Sequence, residues 1–216
     1  YMSIRKKYFV ELEEINQKLL LMQKKVISAI QESINALLNK DSLLIEDTFI
    51  KEKEIDSLER DIEQECLKIL LMEHPVAGDF REVSAALKMI TDLERIGDNA
   101  RDICEIALQF NGKTYIKRLE HIPEMAKNAI AMVKDSVQSY IDQDLELARG
   151  LDKRDDRVDD LFEIVKKDLI LLIKLDSSSA DDAIMILMIA KYLERIADHA
   201  VNIGEWVDYC ITGSHQ

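Results

Sequence analysis

Laid over itself at a shift of 100 positions, the chain matches Leu93-Glu-Arg-Ile-Gly-Asp-Asn-Ala-Arg-Asp-Ile-Cys-Glu105 to Leu193-Glu-Arg-Ile-Ala-Asp-His-Ala-Val-Asn-Ile-Gly-Glu205, eight of thirteen residues being identical. Internal repetition at a fixed period constrains a fold before any local pattern does. The same shift sets Glu52, Lys53 and Asp56 on Asp152, Lys153 and Asp156. A shift of 103 sets Met22, Lys24, Ile27, Ser33 and Asp41 on Met125, Lys127, Ile130, Ser136 and Asp144. The change of three reads as one connection of different length. Inside each copy the apolar residues recur at three and four, as in Leu12, Ile15, Leu19, Met22, Val26 and again in Ile55, Leu58, Ile62, Cys66, Ile69, the period of amphipathic helices. The pattern predicts helices near residues 5–39, 42–72, 79–110, 122–143, 145–174 and 180–210. The expected architecture is all-α: two tandem repeats of a three-helix antiparallel bundle, residues 1–113 and 114–216, parted at Asn111-Gly112-Lys113-Thr114. Pro123 fits the first turn of the fourth helix, where its missing N–H costs nothing.

Composition agrees. Six glycines and two prolines in 216 residues are too few for the many turns of a sandwich or barrel. A net charge of −13 repels phosphate backbones, so no nucleic-acid partner is expected. Cys66, Cys104 and Cys210 are odd in number and form no C-x-x-C pair, which suits core thiols in a reducing compartment. The longest apolar runs fall short of the roughly 20 residues that cross a bilayer. A soluble, cytoplasmic protein is expected.

The acidic residues are patterned. With about 100° per residue on a helix, Gly97, Ala100 and Cys104 lie near Leu93 on the core-facing seam, and Glu94, Asp98 and Asp102 form a column beside it. Glu52 and Asp56 stand one turn apart on the preceding helix, and antiparallel packing about a connection near Val76 brings Asp56 level with Asp98. In the second repeat a connection near Ser177 brings Asp156 level with Asp198. Like charges at i, i+4 each cost a few tenths of a kcal/mol, so columns gathered twice call for something positive. One reading is a salt-bridged acidic surface, with Arg95 and Arg195 as counter-charges. The other is metal: carboxylates with an amide or imidazole, here Asn202 and His199, suit Mg, Mn, Ca or Fe better than thiolate-loving ions. Gly97, Ala100, Ala197, Ala200 and Gly204 read most simply as close helix packing. Trp206 and the methionines read as packing too.

Catalytic templates fail. The residues three before His74, His121, His199 and His215 are Leu71, Arg118, Ile196 and Thr212, so the E-x-x-H of di-iron bundles is missing. No phosphate-binding loop, nucleophile elbow or H-E-x-x-H occurs.

The duplicated Leu93-Glu94-Arg95-Ile96-Gly97-Asp98 and Leu193-Glu194-Arg195-Ile196-Ala197-Asp198, with Glu52-x-x-x-Asp56 and Asp152-x-x-x-Asp156 before them, resemble the PhoU phosphate-uptake regulators over nearly the whole chain. That resemblance implies a non-enzymatic, often homodimeric cytoplasmic regulator that represses the phosphate-starvation response. It implies action at the membrane face, between the ATPase of a phosphate ABC transporter and a phosphate-sensing histidine kinase. It also implies iron or zinc clusters on E/D-x-x-x-D motifs, which here puts Glu52, Asp56, Glu94, Asp98 and Asp102 in one cluster and Asp152, Asp156, Glu194, Asp198 and Asn202 in the other. Asn99 and Asp102 stand where the second repeat has His199 and Asn202, so the two sites are expected to differ in affinity or metal count. A metal-dependent phosphohydrolase and a metal-free structural bundle remain the alternatives.

Overall fold

The computed structural model describes residues 2–72, 75–110 and 120–214, with side chains from residue 6 onward. The described residues form α1 (Met2–Asn39), α2 (Ser42–Met72), α3 (Ala77–Gln109), α4 (Ile122–Asp142), α5 (Leu145–Leu175), a 3-10 turn (Ser177–Ser179) and α6 (Ala180–Thr212). These are the six expected helices, with ends displaced by up to three residues. Pro123 stands in the first turn of α4. The boundary expected at Asn111–Thr114 lies outside the described residues.

The first hairpin of each repeat is built the same way at a shift of 103. Lys40 and Gln143 leave α1 and α4 with positive φ, 56° and 51°, the left-handed step that releases a chain from a helix end. Asp41 and Asp144 follow, and their carboxylates accept from the backbone N–H of Leu43 and Leu147, holding the next helix's first turn.

Burial gives the register between the repeats. Leu19, Met22, Val26, Ile30 and Leu37 are buried on α1, as are Ile122, Met125, Ala129, Val133 and Tyr140 on α4, a shift of 103. On α2 and α5 the buried Ile55, Ile62, Cys66 and Ile69 correspond to Val158, Val165, Leu169 and Leu172, again 103. On α3 and α6 the buried Leu93, Ile96, Ala100 and Ile103 correspond to Leu193, Ile196, Ala200 and Ile203 at 100. The three-residue difference therefore falls in the second connection of each repeat, between α2 and α3 against α5 and α6. The expectation that Glu52 and Asp56 correspond to Asp152 and Asp156 is corrected by this: Glu52 and Asp56 correspond to Asp155 and Asp159.

The two repeats share one hydrophobic core. Its centre is the contact of α3 with α6, which run antiparallel. Lys88 lies over the Trp206 ring at 5.6 Å, and the Arg81 guanidinium donates to the Cys210 carbonyl at 3.1 Å. Farther along, Asp92 accepts from the Asn202 amide at 3.2 Å and sits 2.8 Å from His199 Nδ1. The fully buried Tyr140 reaches from α4 to the Glu82 carbonyl of α3 at 2.9 Å, and α1 joins α4 through Gln23, whose amide donates to the Lys134 carbonyl at 2.8 Å. Cys66, Cys104 and Cys210 are buried free thiols, and burial pushes each up, to about 12, 11 and 11. No helix among the described residues is long and apolar enough to cross a membrane.

Candidate metal-binding acidic faces

Each repeat presents one acidic face along the groove between its second and third helices. In the first repeat Ile55 and Leu93 point inward, so Glu52, Asp56 and Glu59 line the rim of α2, while Glu94 and Asp98 line that of α3, all half-buried. The Thr91 hydroxyl reaches the Glu59 carboxylate at 3.5 Å. Burial, then the charges of Asp98, Glu59 and Asp56, push Glu94 up to about 6 against the pull of Arg95. Two arginines sit on this face. Arg95 pairs with Asp98 at 3.1 Å and with Glu94 at 3.5 Å. Arg101 pairs with Glu52 at 3.3 Å and Glu105 at 3.0 Å while lying over Phe49.

In the second repeat the face consists of Asp155 and Asp159 on α5 with Glu194 and Asp198 on α6. Burial, then Asp159, Asp198 and Glu194, push the Asp155 carboxyl up to about 7, and Asp159 and Asp198 are raised by burial first and then by Glu194. Asp155 Oδ1 is buried with no hydrogen-bond partner, an exception among buried polar atoms that asks for a reason. Lys191 forms an ion pair with Glu194 on the same helix. The neighbouring basic residues of α5 turn to α4, Arg154 to Asp135 and Arg157 to Glu124.

Several expected ligands lie elsewhere. Asp102 faces α6, where the Tyr192 hydroxyl donates to it. Asn202 and His199 face α3 and meet Asp92. These residues therefore knit the two repeats together, and the contrast between Asp102 and Asn202 is one within that seam. Asp152 and Asp156 are exposed on α5, as is Asp159. Asp156 stays at the edge of the face, near enough for its charge to raise Asp155 and Asp159, whereas Asp152 lies beside Arg149, Glu205 and Asp208, where Arg149 forks onto Asp208 at 2.6 and 3.3 Å. Asp155, Asp159 and Glu59 were not among the expected ligands. The core period of α5, Val158, Leu161, Val165, Leu169 and Leu172, carried the signal for the first two.

The small residues are packing, as expected. A Cβ on Gly97 would come within 3.1 Å of Ile55 Cδ1, and one on Gly204 within 2.9 Å of the Ala148 carbonyl. Among the described residues no three carboxylate, imidazole or thiolate groups converge into a finished metal cage. The donor set still fits a hard or intermediate cation. It is all oxygen, doubled in two repeats, and includes a buried acceptor on Asp155 that the protein leaves unused.

The model of the PhoU domain matches residues 19–107 and 122–207, one copy on each bundle. The phosphate-specific transport system accessory protein PhoU homolog of Clostridium acetobutylicum is 33% identical over 210 residues, covering 97% of this chain and 96% of that protein. The Aquifex aeolicus homolog is 35% identical over 189 residues, covering 88% and 86%. The crystal structure of PhoU from Pseudomonas aeruginosa superposes with a TM-score of 0.90 at 29% identity, covering 96% of this chain and all of that one. PhoU from Streptococcus pneumoniae, a phosphate transport system regulatory protein, superposes with a TM-score of 0.89 at 27% identity, covering 97% and 99%. Two matched domains, whole-length relatives and whole-chain superposition give one result: this chain belongs to the PhoU family.

Proposed function

We propose that this protein is a non-enzymatic accessory component of a phosphate-specific transport system and a negative regulator of the phosphate-starvation response. It works on the cytoplasmic side as an adaptor between the transporter's ATPase and a phosphate-sensing histidine kinase, most simply as a homodimer. Family membership and the names of the full-length relatives support the accessory role. The observation that carries the mechanism is the doubled acidic face: two carboxylate groups at corresponding places on the two bundles, raised by burial and by each other.

Asp56, Glu59, Glu94 and Asp98, with Glu52 beside them, would hold cations in the first repeat, and Asp155, Asp159, Glu194 and Asp198 in the second. Iron or zinc follows from family resemblance, and Mg, Mn or Ca from the donor set. A bound cation supplies positive charge that turns a self-repelling stripe into a surface able to accept carboxylates or phosphate from a partner. The residues contribute fixed spacing, since each pair is rooted beside a buried core position.

The test is complementation in a bacterial strain deleted for its own copy, reading a phosphate-repressed reporter in high phosphate. Wild-type protein restores repression, and a Glu94→Gln, Asp98→Asn, Glu194→Gln, Asp198→Asn variant of equal abundance does not. Equal repression by both would remove the faces from the mechanism.

A further inference from the structure

Accepting that the acidic faces take cations, the structure assigns them different affinities: the α5/α6 face fills first, because the α2/α3 face already carries cations of its own. Of the five carboxylates on the first face, Glu52, Glu94 and Asp98 are paired with Arg101 or Arg95. Of the four on the second, Glu194 alone forms an ion pair among the described residues, with Lys191, whose charge also reaches Asp159 and Asp198. The difference comes from identifiable positions. Arg101 is anchored by Glu52, Glu105 and the Phe49 ring. Its counterpart at a shift of 100 is Val201, and the counterpart of Glu52 at 103 is Asp155. The valine offers no donor, so Asp155 keeps a buried oxygen without a partner, while Glu52 spends one on an arginine. An incoming cation must displace or share the guanidinium in the first repeat. In the second it meets Asp155, Asp159 and Asp198 with no guanidinium on them, and contends with one flexible ammonium, Lys191, which is paired with Glu194 and near Asp159 and Asp198.

Arg101 is thus a built-in competitor, and it sets the order of loading. Metal-free wild-type protein titrated with manganese(II), with free ion followed by electron paramagnetic resonance, is expected to show two binding classes. Asp155→Asn with Asp198→Asn removes the tighter one. Arg101→Val, the side chain of the second repeat, tightens the weaker class roughly fivefold, the equivalent of an exposed ion pair of about 1 kcal/mol. Arg101→Gln, which keeps the bulk over Phe49, does the same and guards against a packing defect. Loss of the tighter class on substituting Glu94 and Asp98, or unchanged isotherms in both Arg101 variants, would overturn the order. Wild-type protein that binds no manganese, zinc or iron would instead overturn the metal reading on which the order rests.

Discussion

Gly97 shows how a single side chain tunes a repeat. Its missing Cβ leaves room for Ile55, whose Cδ1 and Cγ2 would lie 3.1 and 3.3 Å from an added methyl. In the second repeat the corresponding residues are Ala197 and Val158, a methyl more on one helix and a methylene fewer on the other. Volume is conserved across the contact, as close packing demands. Gly97→Ala therefore sets a helix-propensity gain of about 1 kcal/mol against a clash with Ile55, whereas in an Ile55→Val background the gain shows unopposed. Urea unfolding of the two single variants and the double variant should yield a favourable coupling of about 1 kcal/mol, and strictly additive effects would contradict this packing. Gly97 and its small neighbours were legible in the sequence as helix-packing residues. The compensation was not, because it is visible only once Ile55 is known to face Gly97.

At the scale of elements, the helices and their antiparallel order were readable because their apolar period is long and seldom interrupted. The register of α5 was not. Identity at Lys53 and Lys153 suggested a shift of 100, but surface lysines are weak markers, and the buried Val158, Val165, Leu169 and Leu172 impose 103. That three-residue slip, close to one helical turn, is why the sequence pairing pointed to Asp152 and Asp156 where the core register puts Asp155 and Asp159 opposite Glu194 and Asp198. Asp102 and Asn202 were misplaced for a different reason: a carboxylate column drifts around an α-helix, and by its third member it has left the groove with α2 or α5 for the seam with the other repeat. Where α1 and α4 meet α3, Glu82 is held in a partly buried place beside the Tyr8 hydroxyl at 3.5 Å. Burial first and Asp79 second raise its carboxyl above the ordinary value of 4.5. A carboxyl raised on folding binds its proton more tightly in the native state, so its contribution to stability falls as pH climbs through 4.5 toward the folded value and stays low above it. Glu82→Gln should raise the melting temperature at pH 7.5 by a few degrees at most and lose that advantage near pH 4. An advantage that persists at pH 4 would contradict the linkage.

Taken whole, the molecule is two copies of one bundle joined by a single core, with the seam between α3 and α6 at its centre and an acidic groove on each bundle. The duplication explains why two acidic faces exist, and on the proposed metal reading the divergence at Arg101 and Val201 makes them unequal. Partial burial in each groove also raises its carboxyls, a cost that the proposed cation would offset. Elemental analysis tests this most directly: the metal-to-protein ratio of untagged protein prepared without chelator, beside the Glu94→Gln, Asp98→Asn, Glu194→Gln, Asp198→Asn variant. Stoichiometric metal in the wild type and its loss from a variant that keeps its helical content is the predicted result. Metal absent from both proteins, or retained undiminished in the variant, would contradict it.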